Sequence, residues 1–69
     1  MFDEKAFRKL IKDKGITLQD VANMLHINLV TLYRKMSGES DFYRNEMDIL
    51  RRELNIDEPD KIFFAQKIT

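Results

Sequence analysis

The stretch Thr17-Leu18-Gln19-Asp20-Val21-Ala22-Asn23-Met24-Leu25-His26-Ile27-Asn28-Leu29-Val30-Thr31-Leu32-Tyr33-Arg34-Lys35-Met36-Ser37-Gly38 decides how this chain folds. Leu18, Val21, Ala22 and Leu25 recur at i, i+3, i+4 and i+7, the spacing of one helix face. Thr17 can cap that helix, with Asp20 three residues on in a capping-box-like arrangement. The pattern predicts a short helix over about 18–25. Asn28 is a strong N-cap for a second short helix over about 29–36, worth on the order of 1 kcal/mol. Leu32 and Met36 form its i, i+4 core pair, and Ser37-Gly38 ends it. Only His26-Ile27-Asn28 separates the two helices.

Outward from this stretch the helical period continues. Ala6, Phe7, Leu10 and Ile11 form an apolar stripe, Asp3 or Glu4 suits a first turn, and Gly15 suits a C-terminal stop. A helix over about 3–13 is expected. Downstream, Met47, Leu50 and Leu54 mark a helix over about 44–54, with Phe42 packing where it begins. Ile56 then leads into Asp57-Glu58-Pro59-Asp60, where Asp57 is a natural cap and Pro59 is tolerated in a first turn. That predicts a last helix over about 58–66. No segment alternates with period two, so the fold class is all-α: five helices in one compact bundle, residues 1–69 forming one domain.

Composition narrows the function classes. Sixty-nine residues make one domain at most, with a thin core. Hydrophobic residues at 43% and charged residues at 35% fit a soluble globular chain rather than a disordered or membrane one. The absence of Cys excludes disulfides, thiol nucleophiles and thiolate metal sites, and a lone His cannot make a His-based metal site. No apolar run approaches the ~20 residues of a membrane span, and Met1-Phe2-Asp3-Glu4-Lys5 has no signal-peptide pattern, so a cytoplasmic location without a membrane partner is expected. There is no nucleophile–base pair, no metal set and no phosphate-cradling Gly loop, so neither an enzyme nor a cofactor is expected. Twelve Lys and Arg cancel twelve Asp and Glu. The zero hides an asymmetry: residues 1–38 carry seven basic against four acidic groups, a net +3, and residues 39–69 carry five against eight, a net −3.

The two central helices and their tight turn need a small side chain such as Ala22 where they approach. They also need Val21, Leu25, Ile27 and Leu32 directed into a shared core. The product is a helix-turn-helix whose second helix keeps an outer face able to enter a major groove. Through Thr17-Leu18-Gln19-Asp20-Val21-Ala22, His26-Ile27-Asn28 and Thr31-Leu32-Tyr33-Arg34-Lys35-Met36-Ser37-Gly38, the chain resembles the Cro/cI-type (XRE-like) helix-turn-helix domain of phage and bacterial repressors. The first helix and the last two, ending in Ile62-Phe63-Phe64, are similar to the family's five-helix, lambda-repressor-like layout. The family usually has Gln where Leu18 stands, with Gln19 here beside it. It usually has Gly in the turn, where His26 must adopt the left-handed conformation or bear strain, and an aliphatic residue is common at the place of Lys35.

The resemblance implies a double-stranded DNA operator as partner and a groove-facing set of Asn28, Leu29, Val30, Tyr33 and Arg34. Arg34 suits guanine O6 and N7, Val30 or Leu29 a thymine methyl, and Asn28 a base or phosphate near the helix N-terminus. Gln19, Thr31, Tyr33, Lys35 and Ser37 are the candidate phosphate contacts, with Lys14 and Arg44 more distant. One recognition helix reads too few base pairs to find an operator, so a homodimer on a near-palindrome is expected. Ile62, Phe63 and Phe64 are more consecutive apolar residues than one helical stripe buries, so part of the run is expected to close the core and the rest to form a dimer or partner surface. The competing reading of the same scaffold is a protein-interaction modulator, an antirepressor or antitoxin that covers a repressor or toxin. Zero net charge, Leu18 in place of Gln and the acidic second half favour it.

Overall fold

The computed structural model describes residues 2–57 and 59–63, and within them the chain is all-helical. In order, the helices are α1 (Glu4–Asp13), α2 (Leu18–Leu25), α3 (Leu29–Met36), α4 (Arg44–Glu53) and α5 (Pro59–Phe63). The bounds of α2 and α3 match the sequence expectation. Helix α1 starts one residue later, because Asp3 stands outside it as the cap, its carboxylate accepting from the Ala6 N–H at 3.0 Å. Glu58 and residues 64–66, expected in the last helix, lie outside the described residues.

Each boundary has a local chemical cause. Thr17 Oγ1 accepts from the Asp20 N–H at 3.2 Å while Asp20 Oδ2 accepts from the Thr17 N–H at 2.9 Å, a complete capping box for α2. Asn28 Oδ1 accepts from the Thr31 N–H at 2.7 Å and opens α3. Tyr43 precedes α4 and has no short acceptor of its own. Instead Glu46 reaches back from the first turn and takes the Tyr43 N–H at 2.8 Å. Helix α2 stops at His26, whose φ of 57° and ψ of 39° are left-handed. That turn sends the Ile27 N–H back to the Ala22 carbonyl at 3.0 Å and leaves three residues before α3.

Phe7, Val21, Ala22, Leu32 and Leu50 are fully buried, and Ile11, Leu25, Met36, Leu54, Ile56 and Phe63 complete the core. Helix α2 packs on both α3 and α4, so the central pair is held from behind, while α5 closes on α1 and α4. The wholly buried Ala22 is the small residue a close α2–α3 approach requires. Burial of a Leu-sized side chain contributes about 1.5–3 kcal/mol, so Leu32 is the main anchor of α3. At one end Phe2, Phe7, Phe42 and Phe63 form an aromatic cluster with centroids 4.8–6.5 Å apart. Beside it the Asp3 N–H donates to the Ile62 carbonyl at 2.7 Å, tying the start of the chain to α5. The radius of gyration is 11.2 Å, near the ~11 Å of a compact chain this long.

Candidate nucleic-acid interface

Helix α3 has two faces set by the 3.6-residue period. Leu32, Lys35 and Met36 point inward, at i, i+3 and i+4. Val30, Tyr33, Arg34 and Ser37 point outward, again at i, i+3, i+4 and i+7, and form one continuous exposed stripe. Val30 is 57% and Tyr33 45% exposed, large values for side chains whose apolar surface a soluble chain tends to hide. Among the described residues Arg34 has no ion pair, so its guanidinium is uncommitted at the centre of the stripe. The Ser37 hydroxyl donates to the Arg34 carbonyl at 3.1 Å, which leaves its lone pairs outward.

The flanking candidates are more constrained. Asn28 is exposed, and although one lone pair of its Oδ1 serves the cap, its amide N–H groups remain for a partner. Leu29 is half-buried against the core. Thr31 is half-buried too, and its backbone N–H is already used. On α2, Gln19 is exposed and donates through Nε2 to Asn23 Oδ1 at 3.1 Å, while Leu18 is half-buried against the core. Lys14 and Arg44 are exposed at the C-terminus of α1 and the N-terminus of α4. His26 is exposed in the turn.

Two sequence expectations are corrected. Lys35, expected to reach a phosphate, is only 4% exposed. Its ammonium pairs with Glu46 at 2.9 Å, donates to the Asp41 carbonyl at 3.0 Å and stands 4.1 Å from the centroid of the Tyr43 ring. The cause is its spacing from Leu32 and Met36, which turns it to the core side, where a cation persists only if paired. Phe63, expected on a dimer or partner surface, is 6% exposed and belongs to the aromatic cluster. Phe2 and Phe42 come from distant parts of the chain to cover it. Of the other two residues of that expected surface, Ile62 is half-buried and Phe64 lies outside the described residues.

Sequence reasoning missed Glu46 and Tyr43 as partners of Lys35. The available signal was a Glu three residues after Tyr43, a position from which it can reach back over the start of α4. No three His, Cys, Asp or Glu side chains gather in a metal-holding group among the described residues. Among those residues, too, no helix is long and apolar enough to cross a membrane. No protein-family model, curated protein or solved structure matches the chain.

Proposed function

We propose that this chain is a sequence-specific DNA-binding transcriptional regulator, a lambda-repressor-like helix-turn-helix domain of the short, Cro-like phage or mobile-element kind, acting in the cytoplasm. The observation that carries the reading is the outward stripe Val30, Tyr33, Arg34 and Ser37 on a helix that follows its neighbour after three residues. A helix presented in this way fits a major groove, and the stripe has the side-chain types the groove rewards. Arg34 takes guanine O6 and N7, worth about 1–3 kcal/mol of discrimination. Val30 packs on a thymine methyl, and Tyr33 and Ser37 reach flanking phosphates with Gln19 and the Asn28 amide. Two copies on a near-palindrome place their α3 helices about 34 Å apart. The bound dimer represses by excluding polymerase or a competing regulator.

The test is a gel shift and footprint on the DNA upstream of the protein's own gene. A saturable, salt-sensitive complex is expected, weakened about tenfold or more in Arg34→Ala. Absence of any Arg34-dependent site contradicts the reading.

One observation favours a second reading. With Lys35 withdrawn, the stripe holds a single cation, Arg34, beside the exposed Val30 and Tyr33, a composition that also suits the centre of a protein–protein interface. On this reading the chain covers a partner repressor or toxin. Co-elution of the two purified proteins, with the partner taken from the adjacent gene, supports it. A stable homodimer that binds DNA alone contradicts it.

A further inference from the structure

The buried pair Lys35–Glu46 is used by neither reading, yet both of its side chains are about 95% removed from solvent. Glu46 Oε1 is its node. It stands 2.9 Å from Lys35 Nζ in the ion pair and accepts from the Tyr43 N–H at 2.8 Å, so the same oxygen ties α3 to the capped start of α4. Lys35 Nζ adds the Asp41 carbonyl and the Tyr43 ring, which fixes one ammonium at three places along residues 41–46. Alongside, the Ser40 N–H donates to the Arg34 carbonyl at 3.1 Å and the Gly38 N–H to the Lys35 carbonyl at 3.4 Å. Lys35 directly follows Arg34, about 100° round the helix, and is buried where Arg34 is exposed. Any rotation of α3 that opens the pair therefore swings the exposed stripe by the same angle.

A pair this deep contributes little net stability, because desolvating two ions offsets most of their attraction, and apolar replacements of similar volume often do as well. Apolar packing is less exacting about geometry: cores repacked with hydrophobic residues lose uniqueness before they lose stability. We propose that Lys35 and Glu46 are positioning residues, whose ion pair fixes the rotation of α3 against α4 and thereby the direction in which Val30, Tyr33 and Arg34 face. The consequence for DNA rests on the regulator reading above, while the mechanical part does not.

The experiment compares the full chain with the double variant K35M/E46Q. The variant removes both charges but keeps an acceptor for the Tyr43 N–H. K35M/E46M serves if the first does not fold. A folded variant is expected to unfold at the wild-type temperature or above it. Its amides over residues 37–43 should exchange with solvent about tenfold faster while those of α2 are unchanged, a local loosening rather than a global one. On DNA, its preference for a selected duplex over a scrambled one should fall about tenfold. Wild-type exchange in a folded variant, or failure of both variants to fold, overturns the proposal, the latter because it makes the pair a stabiliser. Loosened exchange with unchanged preference overturns the link to DNA. If the wild-type protein selects no sequence, the regulator reading fails and the exchange rates still decide the positioning role.

Discussion

At residue 26 the backbone takes a conformation that an L-residue with a side chain adopts at a cost of about 1–2 kcal/mol. His26 sits at φ 57° where α2 stops, sending the Ile27 N–H back to the Ala22 carbonyl at 3.0 Å just before Asn28 caps α3. Replacing His26 with Gly is expected to raise the unfolding free energy by less than about 1 kcal/mol, since relief of strain is partly offset by a freer unfolded chain. His26→Val, β-branched in the same conformation, is expected to lower it by about 1–2 kcal/mol. Urea unfolding with unchanged m-values checks both. The need for a left-handed residue at His26 was legible through the resemblance, because the family it resembles usually places Gly in that turn. Lys35 was not. Residue type says surface, and only its spacing from Leu32 and Met36 says core. Its partner Glu46 lies on another helix, and the local spacing from Tyr43 that marks Glu46 as reaching back over the start of α4 does not join it to Lys35.

Among the described residues three helices end by the same device, and only one of these uses glycine. Gly15-Ile16, His26-Ile27 and Asn55-Ile56 each place a positive-φ residue after the helix and an Ile next. The Ile N–H returns to the Ile11, Ala22 and Arg51 carbonyls respectively, at 3.0–3.2 Å, and satisfies a carbonyl the helix would leave free. Each Ile then packs in or against the core, so stop and core contact are one feature. A search for glycine finds the first of these, while the recurring Ile after a left-handed residue marks all three. The starts were more legible, since Asp3, Thr17 and Asn28 are short acceptors in the positions where caps act. The start of α4 was less so, because Glu46 supplies its bond from inside the helix. Thr17→Ala and Asn28→Ala are each expected to cost about 1 kcal/mol. Their effects should add to within about 0.5 kcal/mol in the double variant, since the caps stand at opposite ends of α2. Thermal unfolding of the three variants measures this.

On the scale of the molecule, the aromatic cluster joins what the sequence keeps apart. Phe2, Phe7, Phe42 and Phe63 converge from the N-terminus, α1, the segment before α4, and α5. Counting the apolar residues Ile62-Phe63-Phe64 against a single helix stripe divides the run between core and surface without saying which residue turns inward. Phe2 and Phe42, which cover Phe63, become visible only when the ends meet. Phe63→Ala is therefore expected to destabilise the fold by about 3–5 kcal/mol. Its oligomeric state in light scattering should stay unchanged at temperatures where it is folded. The charge split, +3 over residues 1–38 and −3 over 39–69, puts the outward face of α3 on the basic half. On the proposed regulator reading, an internal Lys35 predicts weak sequence-independent attraction to DNA, with discrimination left to Arg34 and to pairing of two copies. The most direct measurement is parallel selection of duplexes from a fully randomised pool by the wild-type protein and by Arg34→Ala. The wild type should enrich a near-palindrome with half-sites about 34 Å apart. Arg34→Ala should lose about 1–3 kcal/mol of preference at one guanine per half-site and keep the rest. No enrichment by the wild type, or the same site enriched with equal affinity by both, would contradict a recognition role for α3.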